Sequence, residues 1–181
     1  MVRIDHRPHH SFTFKEGDAL DYSIRPVTDD DWQAVSAVYN EFVDRGQAAY
    51  PEEPVGVEFF AIRHRAAPDY PFVVVEAAER VVGFAYLSPF HAVATMRRSA
   101  QLTYFIRAEY TGMGLGSRLL DLLLSQGREM GVDNFLAHIS SLNEGSIRFH
   151  RRHGFTECGR FRRVGTKNGR DFDMVWMQRL E

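Results

Sequence analysis

Three glycines in the run Tyr110-Thr111-Gly112-Met113-Gly114-Leu115-Gly116-Ser117 lie between a strand-like stretch, Gln101 to Ile106, and an apolar helix that lasts to about Met130. This spacing could hold a phosphate. Glycine lets the backbone turn tightly and approach a ligand closely, and the first N–H groups of a helix have no partner within it. An anion, above all a pyrophosphate, satisfies them. The same turn also serves merely to start a helix, so the segment alone leaves both readings open. Other reactive residue types are sparse. The single cysteine, Cys158, has no metal-ligand spacing around it and reads as a small strand residue. His6, His9 and His10 cluster near the N-terminus without the regular spacing that would converge them on a metal, so no metal site is expected.

The elements that must position this turn belong to one domain, since 181 residues with 44% hydrophobic content suffice for one core and not for two. Residues 1–21 are polar and read as an N-terminal arm, with the domain proper over 22–181. The 22 basic and 24 acidic residues nearly balance, which speaks against a surface built for nucleic acid or anionic lipid and for a small substrate. No apolar run approaches the roughly 20 residues of a membrane span, and no signal-peptide stretch opens the chain, so a cytoplasmic location is expected.

Hydrophobic periodicity sets the element order. A strand at Tyr22 to Arg25 ends at Pro26. Thr28 caps a helix whose first turn carries Asp29, Asp30 and Asp31, and whose buried stripe is Trp32, Val35, Val38, Tyr39 and Phe42. After a loop at Gly46 to Pro54, a second helix carries Val57, Phe60, Ala61 and His64. Phe72 to Ala77 and Val81 to Leu87 read as an antiparallel hairpin, and residues 91–99 as a connection rich in small and basic residues. Gln101 to Ile106, the glycine turn with its helix, and Phe135 to Ile139 form a strand-helix-strand crossover, which makes the two strands parallel. A short helix over Asn143 to His153 precedes two last strands, about Thr156 to Val164 and Phe172 to Arg179, joined through Asn168-Gly169.

Within this order, the run Asn143-Glu144-Gly145-Ser146-Ile147-Arg148-Phe149-His150-Arg151-Arg152-His153-Gly154-Phe155, together with the glycine turn, resembles the two motifs of the GNAT N-acetyltransferase superfamily. The branch it is most similar to is the phosphinothricin and methionine sulfoximine acetyltransferases, which have His at the place of His150 and a similar ending around Gly165 to Gly169. The resemblance spans about Tyr22 to Leu180. It implies an α/β (α+β) GNAT fold, a mixed central sheet with splayed parallel strands flanked by helices. It implies acetyl-CoA as co-substrate, no metal, a small amine acceptor such as an amino acid or analogue, direct transfer in a ternary complex, and a homodimer.

Site residues follow from the same resemblance. Backbone N–H groups of Met113, Gly114, Leu115, Gly116, Ser117 and Arg118 would hold the pyrophosphate. The main chain of Phe105, Ile106 and Arg107 would pair with the pantetheine arm, with a backbone N–H near Phe105 polarising the thioester carbonyl. Asn143 and Ser146 would orient the coenzyme, and His150 would give a proton to the leaving thiolate; capping for Asn143 and packing for His150 remain the plain alternatives. Arg97 would face the acceptor's acid group, with a solvated loop arginine as the plain alternative; Phe90 and Tyr50, from residue type and place alone, read as pocket walls or as core. Of the basic residues Arg148, Arg151 and Arg152, a solvated helix face is the simpler reading.

Two positions depart from the family pattern. Thr111 stands where Gln or Arg is usual, which removes or shortens one pyrophosphate contact. Gln101 stands where the branch usually has a Glu as general base, and an amide cannot take the amine proton. A water, His138 or His150 could relay it, the amine could arrive deprotonated, or Gln101 could simply orient the amine through its carbonyl oxygen. The rival functions are an acyl-CoA-binding module with little catalytic activity and an acetyltransferase of peptide or protein amines.

Overall fold

A computed structural model describes residues 21–181 and the backbone of residues 12–14. The His6, His9 and His10 cluster lies outside the described residues. One eight-stranded mixed sheet runs through the molecule in the order β1-β2-β3-β4-β5-β6-β8-β7. Its strands are β1 (Phe12–Phe14), β2 (Tyr22–Pro26), β3 (Phe72–Ala77), β4 (Arg80–Pro89), β5 (Ser99–Ile106), β6 (Asn134–Ser140), β7 (Thr156–Lys167) and β8 (Arg170–Leu180). Among the described residues four α-helices cover it: α1 (Trp32–Arg45), α2 (Glu58–Ala66), α3 (Leu115–Glu129) and α4 (Glu144–Arg152). Within the span read as a polar arm, the backbone of Phe12–Phe14 pairs antiparallel with β2 as the sheet's edge strand. Among the described residues no helix is long and apolar enough to cross a membrane.

Local chemistry accounts for the element ends. Thr28 and Asp31 form the expected cap: both the backbone N–H and the hydroxyl of Thr28 donate to Oδ2 of Asp31, at 2.8 and 2.9 Å. Arg25 on β2 clamps the same carboxylate through two hydrogen bonds of 2.7 and 2.9 Å, which fixes the angle at which the chain enters α1. The β3–β4 hairpin closes through Ala78 and Glu79, both at positive φ (49° and 58°), the turn hand that suits the strand twist even without glycine. Asn168 and Gly169 repeat that geometry between β7 and β8, with φ of 48° and 71°. Val57, expected on the second helix, precedes α2 and is exposed, whereas Phe60 and Ala61 are on it and buried.

Alternation along the strands divides the core into two layers. Phe72, Val74 and Phe84 face α1 and α2, packing with Trp32, Val35, Val38, Tyr39 and Phe60. On the opposite face Val73, Val75, Ala85, Ala100 and Leu102 pack against the leucine stripe Leu119, Leu120, Leu123 and Leu124 of α3. The feature that makes room for a ligand is the contact between β5 and β6. These strands are parallel, as the crossover requires, yet pair only at Ser99 with Asn134, Ala100 with Phe135 and Gln101 with Leu136. Beyond Gln101 they part, and β5 remains paired with β4 alone.

Candidate active site

A cavity of about 920 Å³ occupies the gap between the parted strands and reaches both faces of the sheet. Tyr104, Phe105 and Ile106 of β5, Ala137, His138 and Ile139 of β6, the glycine turn, and α4 form its walls, with Tyr39, Phe59, Arg63 and Tyr86 at the α1–α2 end. No Asp or Glu among the described residues lines it.

At one end lies the glycine turn. Gly112 and Gly114 take φ of 78° and 82°, a region that an L side chain enters at a cost of about 1–2 kcal/mol. Gly114 is the residue at which α3 begins, and Arg118 closes the first turn by donating its N–H to the Gly114 carbonyl at 3.1 Å. This corrects the expected cradle at one position, because the N–H of Arg118 is committed to the helix. The groups of Leu115, Gly116 and Ser117 precede that first bond and remain for an anion. Gly116 also lets two helices meet: a Cβ there would come within 3.3 Å of Cε2 of Phe149 on α4. The side chain of Met113 is exposed, that of Leu115 is buried in the core, and neither lines the cavity. Thr111 lines it, with its hydroxyl donated back to the Ala108 carbonyl at 2.7 Å.

The middle of the cavity is main chain. Along β5 the hydrogen bonds to β4 fall on alternate residues. Phe90 donates to the Ser99 carbonyl at 3.1 Å and Arg107 to the Val82 carbonyl at 2.9 Å, with unbroken register between, so the odd-numbered residues face β4. The N–H and C=O groups of Tyr104 and Ile106 therefore face the gap. Of the three residues expected to pair with a pantetheine arm, Ile106 is so placed; Phe105 and Arg107 are not, because their main chain belongs to the β4 ladder. Phe105 contributes its ring to the wall, and the Arg107 guanidinium pairs with Glu41. Tyr104 is the residue that sequence reasoning missed. The alternation that reveals it depends on the partner strand, which sequence alone does not align to the residue.

Helix α4 brings three polar groups to the same wall. Asn143 caps it, Oδ1 accepting from the Ser146 N–H at 3.1 Å, while Asn143 and Ser146 both line the cavity. His150 is buried at 2% exposure, yet its ring reaches the cavity. Its Nδ1 lies 2.8 Å from the Ser146 carbonyl oxygen, which can only accept, so Nδ1 carries the proton. Nε2 then accepts from the Tyr104 hydroxyl at 2.8 Å. Desolvation by burial lowers the imidazole pKa to about 4, and burial raises that of the Tyr104 phenol. Both are neutral at pH 7. The one N–H of His150 is thus held by main chain, which differs from the free donor that the resemblance implies. His153, not foreseen, repeats the pattern: Nδ1 donates to the Phe149 carbonyl at 2.8 Å and Nε2 accepts from Ser117 at 2.9 Å.

The acceptor side is arranged differently from expectation. Gln101 is the last residue of β5 paired with β6 and does not line the cavity, which begins at Leu102 and Thr103. Across the gap, on the same face, stands His138, whose Nδ1 is 3.1 Å from the Tyr50 hydroxyl and whose ring stacks on that of Tyr50 at 5.5 Å. Burial holds the His138 pKa below its ordinary value and pushes the Tyr50 phenol up. Arg97 is exposed on the 91–98 connection and Phe90 is 40% exposed, and neither lines the cavity, because β4 and β5 still pair at that end of the sheet. Phe90 meets the site indirectly, edge-on to Trp176 at 6.1 Å, which in turn packs on His138 at 5.3 Å. Arg148 pairs with Glu144 and Arg151 with Glu157 on the surface, while Arg152 lines the cavity beside the glycine turn.

Comparison with known proteins agrees with this architecture. A family model described as "Acetyltransferase (GNAT) domain" matches residues 24–176. An L-methionine sulfoximine/L-methionine sulfone acetyltransferase of Pseudomonas paraeruginosa is 34% identical over 161 residues, covering 86% of this chain and 92% of that protein. A phosphinothricin acetyltransferase from Sinorhizobium meliloti, solved in complex with AcCoA, superposes with a TM-score of 0.81 at 30% identity and 88% coverage of each chain. A ribosomal-protein-alanine N-acetyltransferase from Brucella melitensis gives 0.79 at 34% identity, covering 87% of this chain and 99% of that one.

Proposed function

The chain belongs to the GNAT acetyltransferase family as an acetyl-CoA-dependent N-acetyltransferase, and on that premise we propose that its acceptor is the primary amine of an amino acid or close analogue, acetylated directly in a ternary complex. The observation that carries this reading is the cavity wall, with arginines at 63 and 152 and no carboxylate among the described residues. A polyamine or a lysine-rich peptide would bring further cations into a cavity that offers them no counter-charge, and a desolvated, unpaired cation is costly. A small zwitterion brings its own anion. The names of the sulfoximine and phosphinothricin relatives point the same way.

In this reading the coenzyme is a substrate whose pyrophosphate lies on the free N–H groups of Leu115, Gly116 and Ser117, with Arg152 close by. Its thioester carbonyl lies in the gap, where the N–H groups of Tyr104 and Ile106 stabilise the charge that develops on oxygen. The proton acceptor is His138, one of the relays left open by Gln101 in the place of the usual Glu. With Nδ1–H donated to the neutral Tyr50 oxygen, Nε2 is free to take the proton of the attacking amine. On the leaving side, Tyr104 supports the departing thiolate as a hydrogen-bond donor, its hydroxyl rotating from Nε2 of His150 towards the sulfur as the C–S bond breaks, and the coenzyme leaves as the thiolate with no proton taken from the phenol. The homodimer belongs to the proposal too, since Phe161 and Val164 on edge strand β7 are 58% and 51% exposed.

The test is thiol release from acetyl-CoA across amino acids, their amides, polyamines and peptides, beside direct titration of the coenzyme. Preference for free amino acids is the expected result. Tight coenzyme binding without turnover on any amine would leave a binding module, and preference for peptides would overturn the assignment of the acceptor.

A further inference from the structure

Among the cavity's charged groups, Arg63 has an environment that neither the coenzyme nor the fold explains. It stands on α2, at the opposite end of the cavity from the glycine turn and Arg152. Its guanidinium lies over the Phe59 ring, 3.6 Å from the centroid, and one N–H donates to the Phe59 carbonyl. Stacking of this kind fixes the plane of the fork while leaving most of its five donors unused. No carboxylate pairs with it among the described residues, whereas Arg25, Arg65, Arg98 and Arg107 each have one. The hydroxyls of Tyr39 and Tyr86 are near enough to feel its charge: burial pushes the Tyr39 phenol up to about 12, and Arg63 opposes that shift in both. Tyr86 is opposite Thr103 in the β4–β5 ladder, and Thr103 borders the gap that His138 faces.

We infer that Arg63, with the Tyr39 and Tyr86 hydroxyls, forms an anion subsite at the α2 end of the cavity that takes the acceptor's acid group. The inference rests on the amino-acid reading above and gives it a residue that decides specificity. A planar carboxylate suits the guanidinium fork through paired hydrogen bonds, and the neutral phenols complete its shell as donors. Pinning Arg63 on Phe59 before the ligand arrives reduces the ordering cost of binding. The amine at the other end of a small zwitterion then lies toward His138 and the gap-facing N–H of Tyr104, where transfer must occur. An amine without an acid group leaves the exposed Arg63 fork without its anion.

The test uses two readouts. The first is calorimetric binding of N-acetyl-L-methionine and its amide to the CoA-bound protein; the second is KM for free amino acids against amino-acid amides. Arg63→Ala should weaken the acid about 10- to 100-fold, as expected for lost charge-assisted hydrogen bonds, while the amide changes less than about threefold. Arg63→Lys, which keeps the charge and loses the fork, should fall between. Equal weakening of acid and amide would show a merely structural role and overturn the inference, as would a larger effect on the acid from Arg97→Ala than from Arg63→Ala. Should wild-type protein turn over no amine yet bind the acid in an Arg63-dependent way, the subsite stands and the transfer reading falls.

Discussion

The two ends of the cavity are built on opposite plans. At the glycine turn the functional groups are backbone N–H donors from consecutive residues, set by two left-handed glycines and the start of α3. At the acceptor end they are side chains gathered from α1, the loop after it, α2, β4, β5 and β6: Tyr39, Tyr50, Arg63, Tyr86, Thr103 and His138. A ligand common to a whole family can be held by main chain, which side-chain substitution leaves in place. A ligand that distinguishes one member must be read by side chains, and those can change without disturbing the turn. On the proposed reading selectivity belongs to the α2 end and coenzyme affinity to the α3 end, and substitutions should separate them.

The largest effect is expected at His138. Asn there preserves a polar group beside Tyr50 but cannot take a proton at neutral pH, so kcat should fall about 10²- to 10⁴-fold, the range for a general base, with the coenzyme Kd unchanged. Gln101→Glu provides the opposing test. Because Gln101 lies where β5 and β6 still pair and outside the cavity wall, the added carboxylate should leave kcat at pH 7 within about threefold of wild type. A large gain on Gln101→Glu would return the base to that position and remove it from His138.

What was legible in the sequence follows the same division. The glycine turn, the Asn143 cap and nearly every element could be read from local patterns, since turns, caps and apolar stripes are short-range signals. The extent of β5–β6 pairing could not, because it depends on where two strands 35 residues apart in register, Ser99 and Asn134, stop meeting. That fact leaves Gln101 behind the wall, and the equally non-local register of β5 on β4 exchanges Phe105 and Arg107 for Tyr104 as gap-facing backbone. Arg63 escaped for a related reason: on α2 it has the spacing of a solvated helix face, and only the packing of α2 over the end of β4 brings it to the cavity. Arg97 had the right chemistry in the wrong place.

The buried histidines give stability a pH dependence. His150 is held at about 4 by burial, and its unfolded counterpart titrates near 6.5, so the unfolded state binds more protons between those values. Stability is therefore full above pH 6.5 and is lost as pH falls toward 4, by about 2 kcal/mol between pH 7 and pH 5 for a shift of this size. His138, also lowered, adds to the same slope. Urea unfolding at both pH values should show the loss, and His150→Asn should flatten it even though the variant is less stable at pH 7. An unchanged slope in that variant would mean that His150 is charged in the folded protein.

Gly114 probes the main-chain end more directly. Alanine must adopt the φ of 82° at a cost of about 1–2 kcal/mol or shift the first turn of α3. Coenzyme binding should weaken about tenfold, with the relative preference among acceptors unchanged. A change in acceptor preference would mean that the two ends are not separable.

The smallest effect is expected at Thr111, and it is informative because of its size. Its side chain lines the cavity, but its hydroxyl is already spent on the Ala108 carbonyl at 2.7 Å and offers no free proton to a phosphate. If the cradle is made of backbone, Thr111→Ala should change the acetyl-CoA Kd by less than about threefold, within the range of a surface substitution. Thr111→Arg, which adds the charged group common at this position in the family, should tighten it by a similar small factor, and by less at high salt because the new contact is exposed. A tenfold loss on Thr111→Ala would instead place the hydroxyl on the pyrophosphate, and the coenzyme end, like the acceptor end, would then be held by side chains.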